Sequence, residues 1–155
     1  MPQITKGGKY VFGWSTVGEQ GRIAIPKEAM EEYGLKERDK VILMSGSRQS
    51  GGFAVTTPKL LSGSALSAVL QKFARLRTFQ MPEARVVRVE GRSFCWTSIG
   101  EDGRLTLPYE TLREYGILPG DRLLTVRGSG LALGFALKGS IVEAAATHPE
   151  IDTFE

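Results

Sequence analysis

The chain has 155 residues, 41% hydrophobic and 24% charged, with a formal net charge of +3. That balance fits a globular protein of one ordinary domain or two small ones, and no apolar run approaches the roughly 20 residues of a membrane-spanning helix. Residues 1–8 lack the apolar stretch of a secretory leader, and the single cysteine, Cys95, excludes an internal disulfide. The expected compartment is therefore the cytoplasm.

In chain order, the first predicted element is a strand over 10–17, followed by Gly18-Glu19-Gln20-Gly21, a turn with glycine at both ends. Ile23-Ala24-Ile25 alternates as a half-buried strand does. Pro26 suits the first turn of a helix and Glu28 complements its dipole. Ala29, Met30 and Tyr33 then have helical spacing as far as Gly34, a C-terminal stop. The turn Glu37-Arg38-Asp39 leads to a strand over 40–44, and a Gly/Ser turn to a last strand over 52–56. Residues 57–90 form a basic linker, with Lys59, Lys72, Arg75, Arg77, Arg85 and Arg88 against Glu83 and Glu90. Inside it Leu66, Val69, Leu70, Phe73 and Leu76 predict one amphipathic helix over 62–79, with Gln71, Lys72, Arg75 and Arg77 outward. Met81-Pro82 ends it, and a strand is predicted over 84–89.

From there the pattern begins again. Trp14 through Pro26 recurs as Trp96 through Pro108, at an offset of 82 that holds without a gap to Gly52-Phe53-Ala54 and Gly134-Phe135-Ala136. About 17 of 48 aligned positions are identical, which establishes a duplication. The first copy covers 9–56 and the second 91–138. Each reads strand, turn, strand, short helix, strand, turn, strand, in too few residues to bury an adequate core alone. Each must pair with something, and the nearest candidate is the other copy. Residues 139–155 carry only acids, Glu143, Glu150, Asp152 and Glu155, and read as a short helix over 139–147 and an acidic tail. A basic middle and an acidic tail suit a polyanion partner, or else a solvated helix face and a solubilising tail.

A strand, then Val-Gly-Glu-x-Gly-Arg-hydrophobic-x-hydrophobic-Pro-x-Glu, a short helix, Tyr-Gly-Leu/Ile and Asp-Lys/Arg-hydrophobic, resembles the AbrB/MazE/SpoVT superfamily of prokaryotic transcription regulators. The two-copy arrangement is similar to MraZ-like proteins, and the resemblance covers nearly two thirds of the chain. It implies a mostly β fold with short helices, in which two tandem β-β-α-β-β repeats interleave as a pseudo-two-fold swapped-hairpin β-barrel. A linker helix and a C-terminal helix would be added to it. The implied function is duplex DNA binding through paired Gly-Arg loops, with a homo-oligomer as the assembly.

The candidate DNA contacts are Arg22 and Arg104, expected to contribute about equally, with Lys27 and Arg113 as further phosphate contacts. The alternative for the two loop arginines is to brace the turn through Glu19 or Glu101. The helices after the prolines are acidic, at Glu28, Glu31 and Glu32 and at Glu110 and Glu114, which favours a second reading: a protein-interaction or antitoxin-like module that does not bind DNA. Asp39 and Asp121 suit turn capping, and Trp14 and Trp96 suit core anchoring. Cys95, aligned with Gly13, reads as a small buried residue. The single histidine, His148, has no partner pattern for a zinc site or a triad, and no phosphate loop or dinucleotide fingerprint is present. Neither a cofactor nor catalysis is expected.

Overall fold

A computed structural model describes residues 9–155; the segment read as lacking a secretory leader, residues 1–8, lies outside the described residues. Copy one supplies β1 (Val11–Thr16), β2 (Arg22–Ala24), α1 (Lys27–Tyr33), β3 (Lys40–Ser45) and β4 (Phe53–Thr56). The linker holds α2 (Pro58–Leu61), α3 (Ala65–Lys72), α4 (Ala74–Arg77) and β5 (Val87–Val89). Copy two supplies β6 (Arg92–Ser98), β7 (Arg104–Thr106), α5 (Tyr109–Glu114), β8 (Arg122–Ser129) and β9 (Ala132–Ala136). The tail adds α6 (Ser140–Ala145) and β10 (Thr153–Phe154). The fold is mostly β with several short helices.

The strand order of the main sheet is β10-β1-β8-β9-β4-β3-β6-β5, and β2 pairs with β7 in a separate two-stranded ribbon. The pairing follows the repeat. The first strand of each copy lies beside the third strand of the other, in matching register: Trp14 opposite Leu124, and Trp96 opposite Ile42. The last strands meet at Phe53–Phe135 and the ribbon strands at Ile23–Leu105, each residue facing its own repeat equivalent. Exchanging the copies therefore maps this pairing onto itself.

The sheet does not close into the expected barrel. Its edges are β10 and β5, strands from outside the two repeats, each bonded to a single neighbour. The ribbon strands are only three residues long and spend their hydrogen bonds on each other. They lie as a short second layer over one face of an open sheet, and the largest core sits between, where Ile23, Leu105, Leu107 and Leu112 pack with Leu43, Phe53, Leu133 and Phe135. Both copies contribute to it, and the rings of Phe53 and Phe135 stack at 5.0 Å.

Period-two alternation sends the neighbouring residues to the other face. There Ile42, Met44, Phe94 and Trp96 meet Leu61, Leu70 and Leu76 of the linker. Val11, Trp14, Leu124 and Val126 meet Ala145 and Ile151 of the tail. The predicted single linker helix over 62–79 is two short ones, α3 and α4, interrupted at Phe73, with φ −125° and ψ 71°. Its apolar spacing was legible because it records which side chains are buried; it does not record whether the backbone ladder is continuous. Thr57 starts α2 by accepting from the Leu60 N–H at 3.1 Å. The residues read as a solubilising tail include buried Ile151, and Thr153–Phe154 adds a parallel strand to β1.

Candidate nucleic-acid interface

Each Gly-Arg loop is a tight turn closed on itself. Gly18 N–H donates to the Arg22 carbonyl at 2.9 Å, and Gly100 N–H to that of Arg104 at 2.8 Å. Gly21 and Gly103 take φ of 76° and 75°, in the left-handed region that a side chain resists. Each loop is also held by the other copy. Ile25 N–H donates to the Gly103 carbonyl and Leu107 N–H to that of Gly21, both at 3.0 Å. The two turns and the ribbon are thus one rigid piece. Ile23 and Leu105 point into the core, so their ribbon neighbours Arg22 and Arg104 face away from it.

The structure brings Arg22 and Arg104 to one cleft, bordered also by Gly18, Glu19, Gly120 and Glu155. Their surroundings differ. Arg22 is exposed and makes no ion pair or side-chain hydrogen bond among the described residues. Arg104 donates from Nη1 to Asp102 at 3.0 Å, and from Nε to the Glu155 main-chain oxygen at 3.0 Å, with Nη2 on that same oxygen. The guanidinium holds the Asp102 carboxyl below its usual range. The bracing carboxylate is therefore Asp102. Glu101 reaches instead across the copies to Arg38.

Lys27, the first residue of α1, is exposed and lies outside that cleft, as does Arg113, whose guanidinium sits 5.7 Å from the centre of the Tyr109 ring. Several acids of the two helices are already engaged. Glu28 accepts from the Tyr10 hydroxyl, Glu32 pairs with Arg127 of β8, and Glu114 lies 3.7 Å from Arg88. The Arg127 hydrogen bond holds the Glu32 carboxyl below its ordinary value. Glu31 and Glu110 are the acids of α1 and α5 with neither an ion pair nor a side-chain hydrogen bond among the described residues.

The remaining sequence candidates have structural places. The Asp39 and Asp121 carboxylates each accept a backbone N–H three residues back, from Lys36 and Leu118, at 2.9 Å. Trp14 and Trp96 are buried, with Arg122 and Lys40, repeat equivalents of each other, over their rings at 4.1 and 5.4 Å. Cys95 is buried beside the Tyr115 hydroxyl at 3.3 Å, and burial pushes its thiol up to about 11, so it stays protonated near neutrality. His148 pairs with Glu150 at 2.7 Å on the surface. Among the described residues no group of three His, Cys, Asp or Glu side chains is placed to hold a metal ion, and no helix is long and apolar enough to cross a membrane.

Sequence reasoning missed the tail. Trp14 N–H donates to the Asp152 carbonyl at 2.8 Å, and β10 runs parallel to β1. A Cβ on Gly13 would come within 2.6 Å of the Phe154 ring and 2.9 Å of the Asp152 carbonyl. The one available signal was that Gly13 stands where copy two has Cys95.

No family model matches the chain, and no curated protein does. Among solved structures, the solution structure of PHS018 from Pyrococcus horikoshii is similar at 18% identity and a TM-score of 0.37, over 84% of this chain and 97% of that one.

Proposed function

We propose that the chain is a cytoplasmic, homo-oligomeric DNA-binding transcription regulator of the AbrB/SpoVT type, contacting duplex DNA through its paired Gly-Arg loops. The observation that carries this reading is the position of Arg22 and Arg104. They flank the Ile23–Leu105 pair on a two-stranded ribbon, at equivalent points of a repeat whose strand pairing is its own two-fold image. A pseudo-two-fold pair of arginines beside a shared cleft suits the two-fold symmetry of duplex DNA, and the free fork of Arg22 suits a phosphate or a guanine edge. The exchange of first and third strands between copies supports the family's swapped-hairpin module. The pairing of Glu32 with Arg127 and of Glu114 with Arg88 lowers the charge that would repel phosphates. Lys27 and Arg113 are secondary phosphate contacts in this reading.

One observation favours the alternative, a protein-interaction or antitoxin-like module: Arg104 is already occupied by Asp102 and the tail. Titration of the parent, Arg22→Ala, Arg104→Ala and the double variant onto duplex DNA across a salt series decides between them. DNA binding predicts affinity that falls steeply with salt, and a slope smaller by about 1 when Arg22 is lost, if it contacts phosphate. A parent that binds no duplex at low salt removes the regulator reading and leaves the interaction module.

A further inference from the structure

The sheet face opposite the ribbon is covered unevenly. The linker helices roof the half containing β3 and β6, and α6 with the tail roofs the half containing β1 and β8. The central strands β4 and β9 lie between these roofs. On that face Ala54, Ala132, Gly134 and Ala136 line the gap, none larger than a methyl group, while Thr56 is buried beyond it. The result is a groove of about 640 Å3, with Leu66 of α3 on one side and Ile141 of α6 on the other. Its floor is tight, since a Cβ on Gly134 would lie 3.0 Å from the Val126 side chain. One end is built by hydrogen bonds. The Ser50 carbonyl accepts from the Leu137 and Lys138 N–H groups at 2.8 and 3.0 Å.

The chemistry of the groove is one-sided. Lys9, Arg92 and Lys138 border it and no carboxylate does, in a chain with 17 Asp+Glu. All three are exposed and none has an ion-pair partner among the described residues; Arg92 reaches only the Met44 sulfur, at 3.5 Å. Three uncompensated cations around a low-dielectric trough focus a positive potential into it. The volume falls within the roughly 300–1,000 Å3 of small-molecule sites, whereas a stable protein partner needs about 800 Å2 of its own surface buried. The floor offers methyl groups, suited to an aliphatic body.

We propose that this groove binds a small amphipathic carboxylate, its apolar body on the alanine floor and its carboxylate at the Lys9, Arg92 and Lys138 rim. The site lies on the face away from the ribbon and stands whether or not the chain binds DNA.

The test is calorimetric titration of the full chain with decanoate below its micelle concentration, with decyltrimethylammonium as the control of opposite charge. Decanoate is expected to bind one per chain and the cationic amphiphile not to bind. Ala54→Phe, which fills the floor, and Lys138→Glu, which reverses one exposed rim charge, are each expected to weaken binding at least about tenfold. Folding is checked by melting, and Lys138→Glu carries the test if Ala54→Phe does not fold. Absent decanoate binding, equal binding of the cation, or full affinity in both folded variants overturns the proposal. So does sedimentation showing a dimer that Ala54→Phe dissociates, because the groove would then be an interface between copies.

Discussion

The two Gly-Arg loops share a Gly-Glu-x-Gly-Arg pattern, a turn and a register, and differ in what surrounds them. The first is open: Arg22 is exposed, and the cleft beside it is bordered by Gly120 of the facing turn. The second is pinned: Arg104 is held by Asp102 and the tail, and the facing turn carries Arg38, paired with Glu101. Duplication supplied two equivalent scaffolds, and a few substitutions, Gln20/Asp102 and Arg38/Gly120 among them, made them unequal. Sequence predicts equal contributions from the two arginines; if the loops meet DNA as proposed, the larger one is expected from Arg22, because Arg104 must first leave its present partners.

The largest effect that tests this difference is on stability. A Cβ on Gly21 would meet the Leu107 carbonyl oxygen at 2.0 Å, whereas one on Gly103 meets nothing closer than the Met30 sulfur at 3.5 Å. Both positions have the same positive φ, so Gly103→Ala should cost about 1 kcal/mol from backbone strain alone. Gly21→Ala adds a clash with backbone that cannot move without opening the ribbon, and should cost about 3 kcal/mol or more. Denaturant unfolding of both variants checks the order; equal losses would mean that the loops are packed alike.

A smaller effect concerns the tail. Deleting residues 153–155 removes β10 and the Glu155 contact to Arg104. DNA affinity should rise a few-fold, and Arg104→Ala should then lower the salt slope by about 1, which it does less in the full chain. An unchanged affinity after deletion, in a chain that remains folded, would show that the tail does not restrain Arg104. The smallest effect is at Arg38, which takes φ of 72° where copy two has Gly120 at 93°. Its ion pair with Glu101 is exposed and worth little. Arg38→Gly should raise stability by under about 1 kcal/mol, read from the denaturation midpoint; a loss beyond that would assign real weight to the ion pair.

Much of this was legible in the sequence because it is local. Gly18 and Gly21 mark a turn, Ile23 and Ile25 alternate, and Gly34 stops a helix with φ of 65°. The doubling at an offset of 82 pointed to two copies that need each other. What was not legible depends on distant partners. Whether the sheet closes is decided by what lies beside β1 and β6, and those neighbours, β10 and β5, come from the tail and the linker. The capture of Arg104 depends on a main-chain oxygen 51 residues away, and main-chain atoms leave no mark in sequence. The acids of α1 are legible only as charge, yet Glu28 and Glu32 find Tyr10, just before β1, and Arg127 of β8.

The central claim is that the ribbon end of the molecule meets DNA, and that the open loop meets it first. Amide chemical-shift mapping during titration with a short duplex tests it most directly. The account predicts that the earliest and largest shifts fall on residues 18–24, with weaker ones on 100–106 and none on the groove at Ala54 and Gly134. Shifts centred on the basic linker between Lys72 and Arg88, or no shifts at low salt, would contradict it.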